Sequence, residues 1–125
     1  MRVLVSGNNL WNNYMEFIRN MTLIIEDVNY YAPEEKHITF VHTGKTSPEN
    51  MTTEWIGKIE KYARQSGYTI KEELFRGDKM FLAYQLASSD LDYAIVFLRG
   101  KKDAQMDLLL DSLKENDVPF KVVRA

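Results

Sequence analysis

Strand-like and helix-like patterns alternate along the whole chain, β-α-β-α-β-α-β-α-β. This alternation predicts a three-layer α/β sandwich, a five-stranded parallel sheet with helices on both faces. Three observations carry the expectation. Short apolar runs at Val3 to Ser6 and Tyr93 to Leu98 lack the polar alternation of a half-exposed strand, as strands covered on both sides do. Each run stops at a glycine or a small polar loop, as strands do beneath a ligand-binding edge. The longer segments between the strands carry apolar residues at helical spacing.

Taken in order, Val3 to Ser6 is the first strand, and Gly7 opens its exit turn among Asn8, Asn9, Asn12 and Asn13. Gly7 can take a positive φ or let a ligand approach the backbone closely. Asn13 and Glu16 have the spacing of a capping box. Tyr14, Phe17, Ile18, Met21, Ile24, Ile25 and Val28 then predict a helix to about Asn29, ended by Tyr30-Tyr31-Ala32-Pro33 because the residue before a proline avoids the α region. After the second strand, His37 to Val41, Ser47-Pro48 reads as an N-cap with proline at the first helical position. Met51, Trp55, Ile59, Tyr62 and Ala63 form the inward stripe of that second helix, and Gly67 is its C′ residue. Thr69 to Phe75 is a third strand whose charges suit a sheet edge. Asp78 caps a helix through Met80, Leu82, Ala83, Leu86 and Ala87. Tyr93 to Leu98 is the fourth strand. Asp103 caps a last helix with Met106, Leu109, Leu110 and Leu113 inward, and Phe120 to Arg124 is the fifth strand. With the three most apolar strands inside, the order is 3-2-1-4-5, a Rossmann-like layout whose crevice lies beyond strands one and four.

The bulk properties exclude several functions. A chain of 125 residues with 45% apolar and 27% charged residues is one globular domain, 1–125. A net charge of −2 gives no reason to expect nucleic acid as the partner. Without cysteine there is no disulfide, thiolate nucleophile or Cys-ligated metal, and two distant histidines argue against a His-based metal site. No apolar run approaches the roughly 20 residues that span a bilayer, and the opening residues lack a signal-peptide pattern. A cytoplasmic home with no membrane partner and no cofactor is the expectation.

The predicted strand exits collect a particular chemistry at one pole. Ser6, Gly7, Asn8 and Asn9 follow strand one; His42, Thr43, Gly44, Lys45 and Thr46 follow strand two; Arg76 follows strand three; Arg99, Gly100, Lys101 and Lys102 follow strand four. Five basic side chains beside glycines and helix N-termini favour an anion, a phosphate above all. Polar loops decorated with lysine are the simpler reading of the same residues. Trp11 could stack on a base or cap the core. His42 could be an acid, a base, a ligand contact or a structural hydrogen-bonder. Gly44-Lys45-Thr46 is not a P-loop, because Thr39 stands where its first glycine belongs. Glu72-Glu73 reads as a solvated pair on an edge strand, and Asp90 and Asp92 fall at the opposite pole.

Several segments resemble the YspA-type proteins of the SLOG (SMF/LOG) superfamily. Val3-Leu4-Val5-Ser6-Gly7 followed by Trp11 is similar to the opening "V-x-V-[ST]-G-S-R-x-W". Val41-His42-Thr43-Gly44 resembles "V-H-G-G", Glu54-Trp55 the "A-x-x-W-A" helix, Arg76 and Met80 the "R-N-x-x-M" element, and Tyr93 to Leu98 the "A-D-x-V-I-A-F" strand. The resemblance implies a nucleotide-ligand-binding domain that self-associates and holds a phosphate-containing molecule, such as an ADP-ribose-like or cyclic ADP-ribose-type signal. A lone domain of this kind would sequester the signal, as a phage anti-defence protein would. The sequence departs from the family at Asn8-Asn9, at Thr43, and in the last loop. There the LOG pattern "P-G-G-x-G-T-x-x-E" keeps only Gly100, and the glutamate position is Met106. An N-glycosidic hydrolase of nucleotide monophosphates and a protein-interaction module without ligand are the alternatives.

Overall fold

Strands β1 (Arg2–Gly7), β2 (His37–His42), β3 (Thr69–Leu74), β4 (Tyr93–Leu98) and β5 (Phe120–Arg124) form one parallel sheet in the order β3-β2-β1-β4-β5. This is the predicted Rossmann-like α/β arrangement, seen in a computed structural model that describes residues 1–77 and 82–125. The connecting helices are α1 (Tyr14–Tyr31), α2 (Ser47–Gln65), α3 (Leu82–Ala87) and α4 (Ala104–Glu115). The expected cap at Asp78 and the family-like Met80 lie outside the described residues.

Strand alternation divides the core into two layers. Val3, Val5, Ile38, Phe40, Ile95 and Phe97 face Phe17, Met21, Ile24 and Val28 of α1 and Trp55 and Ile56 of α2. Leu4, Val41, Ala94, Val96 and Leu98 face Leu86 and Ala87 of α3 and Met106, Leu109, Leu110 and Leu113 of α4. The first layer is rich in aromatic rings. Trp11 meets Phe97 at 5.1 Å, and Phe40 meets Trp55 at 5.4 Å in an edge-on arrangement. Such pairs add about 1 kcal/mol each beyond the area they bury.

Helix ends follow the local chemistry, with small corrections. The Asn13 side chain accepts from the Glu16 N–H at 3.0 Å, so α1 starts as expected. It ends two residues later than expected, at Tyr31, with the residue before Pro33 as the non-helical cap. The N-cap of α2 is Thr46 and not Ser47, which moves Pro48 to the second helical position. The inward face of α2 is also rotated from the predicted stripe. Thr52 and Ile56 are buried, while Tyr62 stands 69% exposed. Gly67 has a φ of +88° after α2, as its C′ role requires. The equivalent position after α4 is Asp117, with a φ of 54°.

Packing within the fold, and not a positive φ, requires glycine at position 7. Its φ is not positive. A Cβ there would run into the Phe97 carbonyl oxygen of β4 and come within 2.7 Å of Pro48 Cγ. Neither the ladder carbonyl nor the proline ring can give way cheaply. Gly7→Ala should therefore destabilise the fold by roughly 3 kcal/mol, the upper part of the overpacking range. Asp117→Gly should stabilise it by about 1 kcal/mol through relief of left-handed strain. Urea denaturation midpoints of the two variants check both signs.

Candidate functional site

The loops at the carboxyl edge of the sheet are stitched to one another before any ligand is considered. Asn8 does most of this. Its Nδ2 donates to the Arg99 carbonyl at 2.8 Å, and its Oδ1 accepts from the Arg99 N–H at 3.2 Å. The side chain thus extends the β1–β4 pairing beyond the strands. Asn9 Oδ1 accepts from the Ser47 N–H at 3.0 Å, and Ser47 Oγ donates to the Trp11 carbonyl at 2.6 Å. These bonds fasten the β1 exit to the start of α2.

The β2 exit is held by a buried carboxylate that the sequence did not single out. Glu49 is 3% exposed at the third position of α2. Its Oε2 accepts from the Thr43 N–H, the Thr43 hydroxyl and the Gly44 N–H, and its Oε1 accepts from Thr46 Oγ1 at 2.6 Å. A buried carboxylate needs such donors to offset its lost hydration. Its signal in the sequence is Thr46-Ser47-Pro48-Glu49, a capping-box spacing.

His42 is fully buried on the α2 side of β2. Its Nδ1 accepts from the Gly44 N–H at 3.0 Å, so the ring proton lies on Nε2, which faces Glu72 Oε2 at 3.0 Å. Both ring nitrogens are used within the protein, which is the structural hydrogen-bonder among the roles open to it. Trp11 is 1% exposed, with its Nε1–H on the Asn13 carbonyl. Its ring offers no face for stacking a base, and the core-capping reading replaces that one. Glu72 and Glu73 are not simply solvated either. Glu73 faces Arg2 across the sheet at 2.8 Å, and Glu72 holds His42.

Between the stitched loops, α3 and the start of α4 lies a cavity of about 340 Å³. Ser6, Gly7, Asn8, Asn9, Thr43 and Lys45 line it from the predicted set. Glu49, Asp103 and Gln105 add polar groups, and Leu82, Leu86, Met106 and Leu109 form an apolar wall. Among the described residues Lys45 is the one basic side chain on its walls. The other four spread over the surrounding surface. Arg76 and Lys101 are exposed, Arg99 reaches Asn12 Oδ1 at 2.8 Å, and Lys102 pairs with Asp107 at 3.1 Å. Gly44 and Gly100 have φ near +75° and shape the two flanking loops. Asp103 caps α4 by accepting from the Met106 N–H at 2.8 Å. The chain's own carboxylates therefore engage N–H groups of the β2–α2 loop and at the start of α4 that an anion could otherwise use.

Comparison of the chain with models of known protein families, with curated proteins and with solved structures finds no match. Among the described residues no helix is long and apolar enough to cross a membrane.

Two predictions follow from these networks. Glu49→Ala leaves three hydroxyl or amide groups and part of a fourth without their acceptor, and should cost about 3 kcal/mol in chemical denaturation. Burial alone would raise the Glu72 carboxyl, but hydrogen bonds from Thr53 and His42 outweigh it and hold it below its ordinary value. A lowered folded-state value contributes stability above the unfolded carboxyl range, near pH 4, that is lost as pH falls through the folded value. The stability difference between the protein and Glu72→Gln should accordingly narrow on acidification below about pH 4, measured by denaturation across that window.

Proposed function

We propose that the cavity at the carboxyl edge of the sheet binds a small nucleotide-derived molecule carrying phosphate, and holds it without chemical change. One observation carries this reading. The exits of β1 and β2, helix α3 and the start of α4 converge on a single cavity at the point where the sheet order reverses, the place where open α/β sheets take their ligands.

The chemistry of the walls divides such a ligand into parts. The apolar side made by Leu82, Leu86, Met106 and Leu109 suits a planar base. The hydroxyls and amides of Ser6, Asn9, Thr43, Thr46 and Gln105 suit sugar hydroxyls. Lys45 supplies the positive charge for a phosphate. Binding rather than hydrolysis is favoured by Met106. It lines the cavity, the resemblance puts a LOG-type glutamate at its position, and a thioether moves no proton. Asp107, one residue on, is engaged by Lys102. Sequestration of an ADP-ribose-like or cyclic ADP-ribose-type signal is the form of this function that the family resemblance suggests.

The test is incubation with AMP, ADP-ribose, cyclic ADP-ribose and inorganic phosphate, followed by thermal shift and recovery of the ligand after heat denaturation. A ligand at 100 times its Kd should stabilise the protein by about 2.7 kcal/mol and be recovered intact. Lys45→Ala should weaken binding roughly tenfold, the loss of one charge-assisted hydrogen bond, with an unchanged melting temperature in the free protein. Free base in the supernatant would point to hydrolysis, and no shift with any of the four would remove the reading.

A further inference from the structure

A second cavity, of about 270 Å³, opens between the later turns of α1 and α2, beside Ile38 near the start of β2 and Ile70 near the start of β3. Ile38, Ile70 and Trp55 are its buried lining, and Tyr62 and Tyr68 add two further rings. The volume exceeds the roughly 150 Å³ that encloses a benzene-sized molecule. Among the described residues this cleft shares no wall with the cavity at the carboxyl edge of the sheet.

The polar chemistry of the cleft is one-sided. Among the described lining residues Glu26 alone carries charge, and it is in no ion pair with any described residue. Asn29, three residues on, is its neighbour on the surface of α1 and also lines the cleft. The Asn29 Oδ1 is cut off from solvent and accepts no hydrogen bond from any described residue. Buried carbonyl oxygens nearly always have a donor. The rings suit positive charge as well: the Lys36 ammonium lies 4.9 Å from the centre of the Tyr68 ring, as a cation held by an aromatic face does.

We infer that this cleft binds a small apolar primary amine, its ammonium shared by Glu26 and the Asn29 oxygen and its hydrocarbon body against Trp55, Ile38 and Ile70. A protonated amine brings both things that the polar side lacks, a positive charge and several N–H donors. Side chains three apart on a helix have Cβ atoms roughly 5–6 Å apart, so one ammonium can serve both. An anion would face Glu26 with like charge. A quaternary ammonium would answer the charge but leave the Asn29 oxygen without a donor. The site does not depend on the ligand proposed for the carboxyl-edge cavity.

Titration calorimetry of the full chain at neutral pH with phenethylamine, the trimethyl(phenethyl)ammonium ion and 2-phenylethanol separates these requirements. The three share one hydrocarbon body, and only the amine has both charge and N–H donors. It should bind at least about tenfold more tightly than the alcohol, the worth of a charge-assisted hydrogen bond, and more tightly than the quaternary ion. Backbone amide shifts in heteronuclear NMR spectra should fall on Thr22 to Asn29 and Ile59 to Ser66, and not on Ser6 to Asn9. Glu26→Gln should weaken the amine about tenfold and leave the alcohol unchanged. Asn29→Ala should weaken the amine and leave the quaternary ion unchanged. The melting temperature of the free Asn29→Ala chain should not fall, since Oδ1 has no hydrogen bond to lose. Failure of the amine to bind, or binding no tighter than that of the alcohol or the quaternary ion, overturns the inference. So do amide shifts confined to other segments, or an amine affinity that Glu26→Gln leaves unchanged.

Discussion

The site depends on how closely the end of β1 can be approached. At Gly7 the Phe97 carbonyl and the Pro48 ring both press against the Cα, leaving no room for a side chain. That contact brings the end of β4 and the start of α2 together around one point. Asn8 and Asn9 can then reach the Arg99 backbone and the Ser47 N–H with ordinary hydrogen-bond lengths. The packing constraint comes first, and the polar stitching is possible because of it.

A second feature gives the crevice its character. Helix N-termini at the carboxyl edge of a sheet attract anions, and this chain meets part of that demand internally. Glu49 holds the β2–α2 loop with four accepted hydrogen bonds, and Asp103 caps α4. The loops are thereby ordered without a ligand, at the expense of amide groups that could have cradled a phosphate. The cavity that remains is polar on one side and apolar on the other, with positive charge at Lys45. It suits a molecule with distinct parts better than a bare inorganic anion.

The two layers of the molecule carry different tasks. The α3–α4 side contributes the apolar wall of the cavity through Leu82, Leu86, Met106 and Leu109. The α1–α2 side is an aromatic core that fixes the β1 exit through Trp11, Phe17 and Phe97. Outside that core α1 turns a mixture of exposed apolar and charged residues to the surface, among them Met15, Leu23, Tyr30 and Tyr31.

The sequence by itself determined the architecture, because strand order and helix placement follow from periodicity, turn residues and the apolar rank of the strands. Asn13, Gly67 and Asp103 were legible as caps for the same reason: a cap is a bond between residues a few positions apart. Only the tertiary structure decided what Gly7, Trp11, His42 and Glu49 do. Their partners, Phe97, Pro48, Gly44 and Glu72 among them, come from other elements or from loops whose path is fixed by those elements. A polar residue beside a strand end reads the same in sequence whether it faces a ligand or its own backbone. Burial and the geometry of donors and acceptors, set by packing at long range, make the difference.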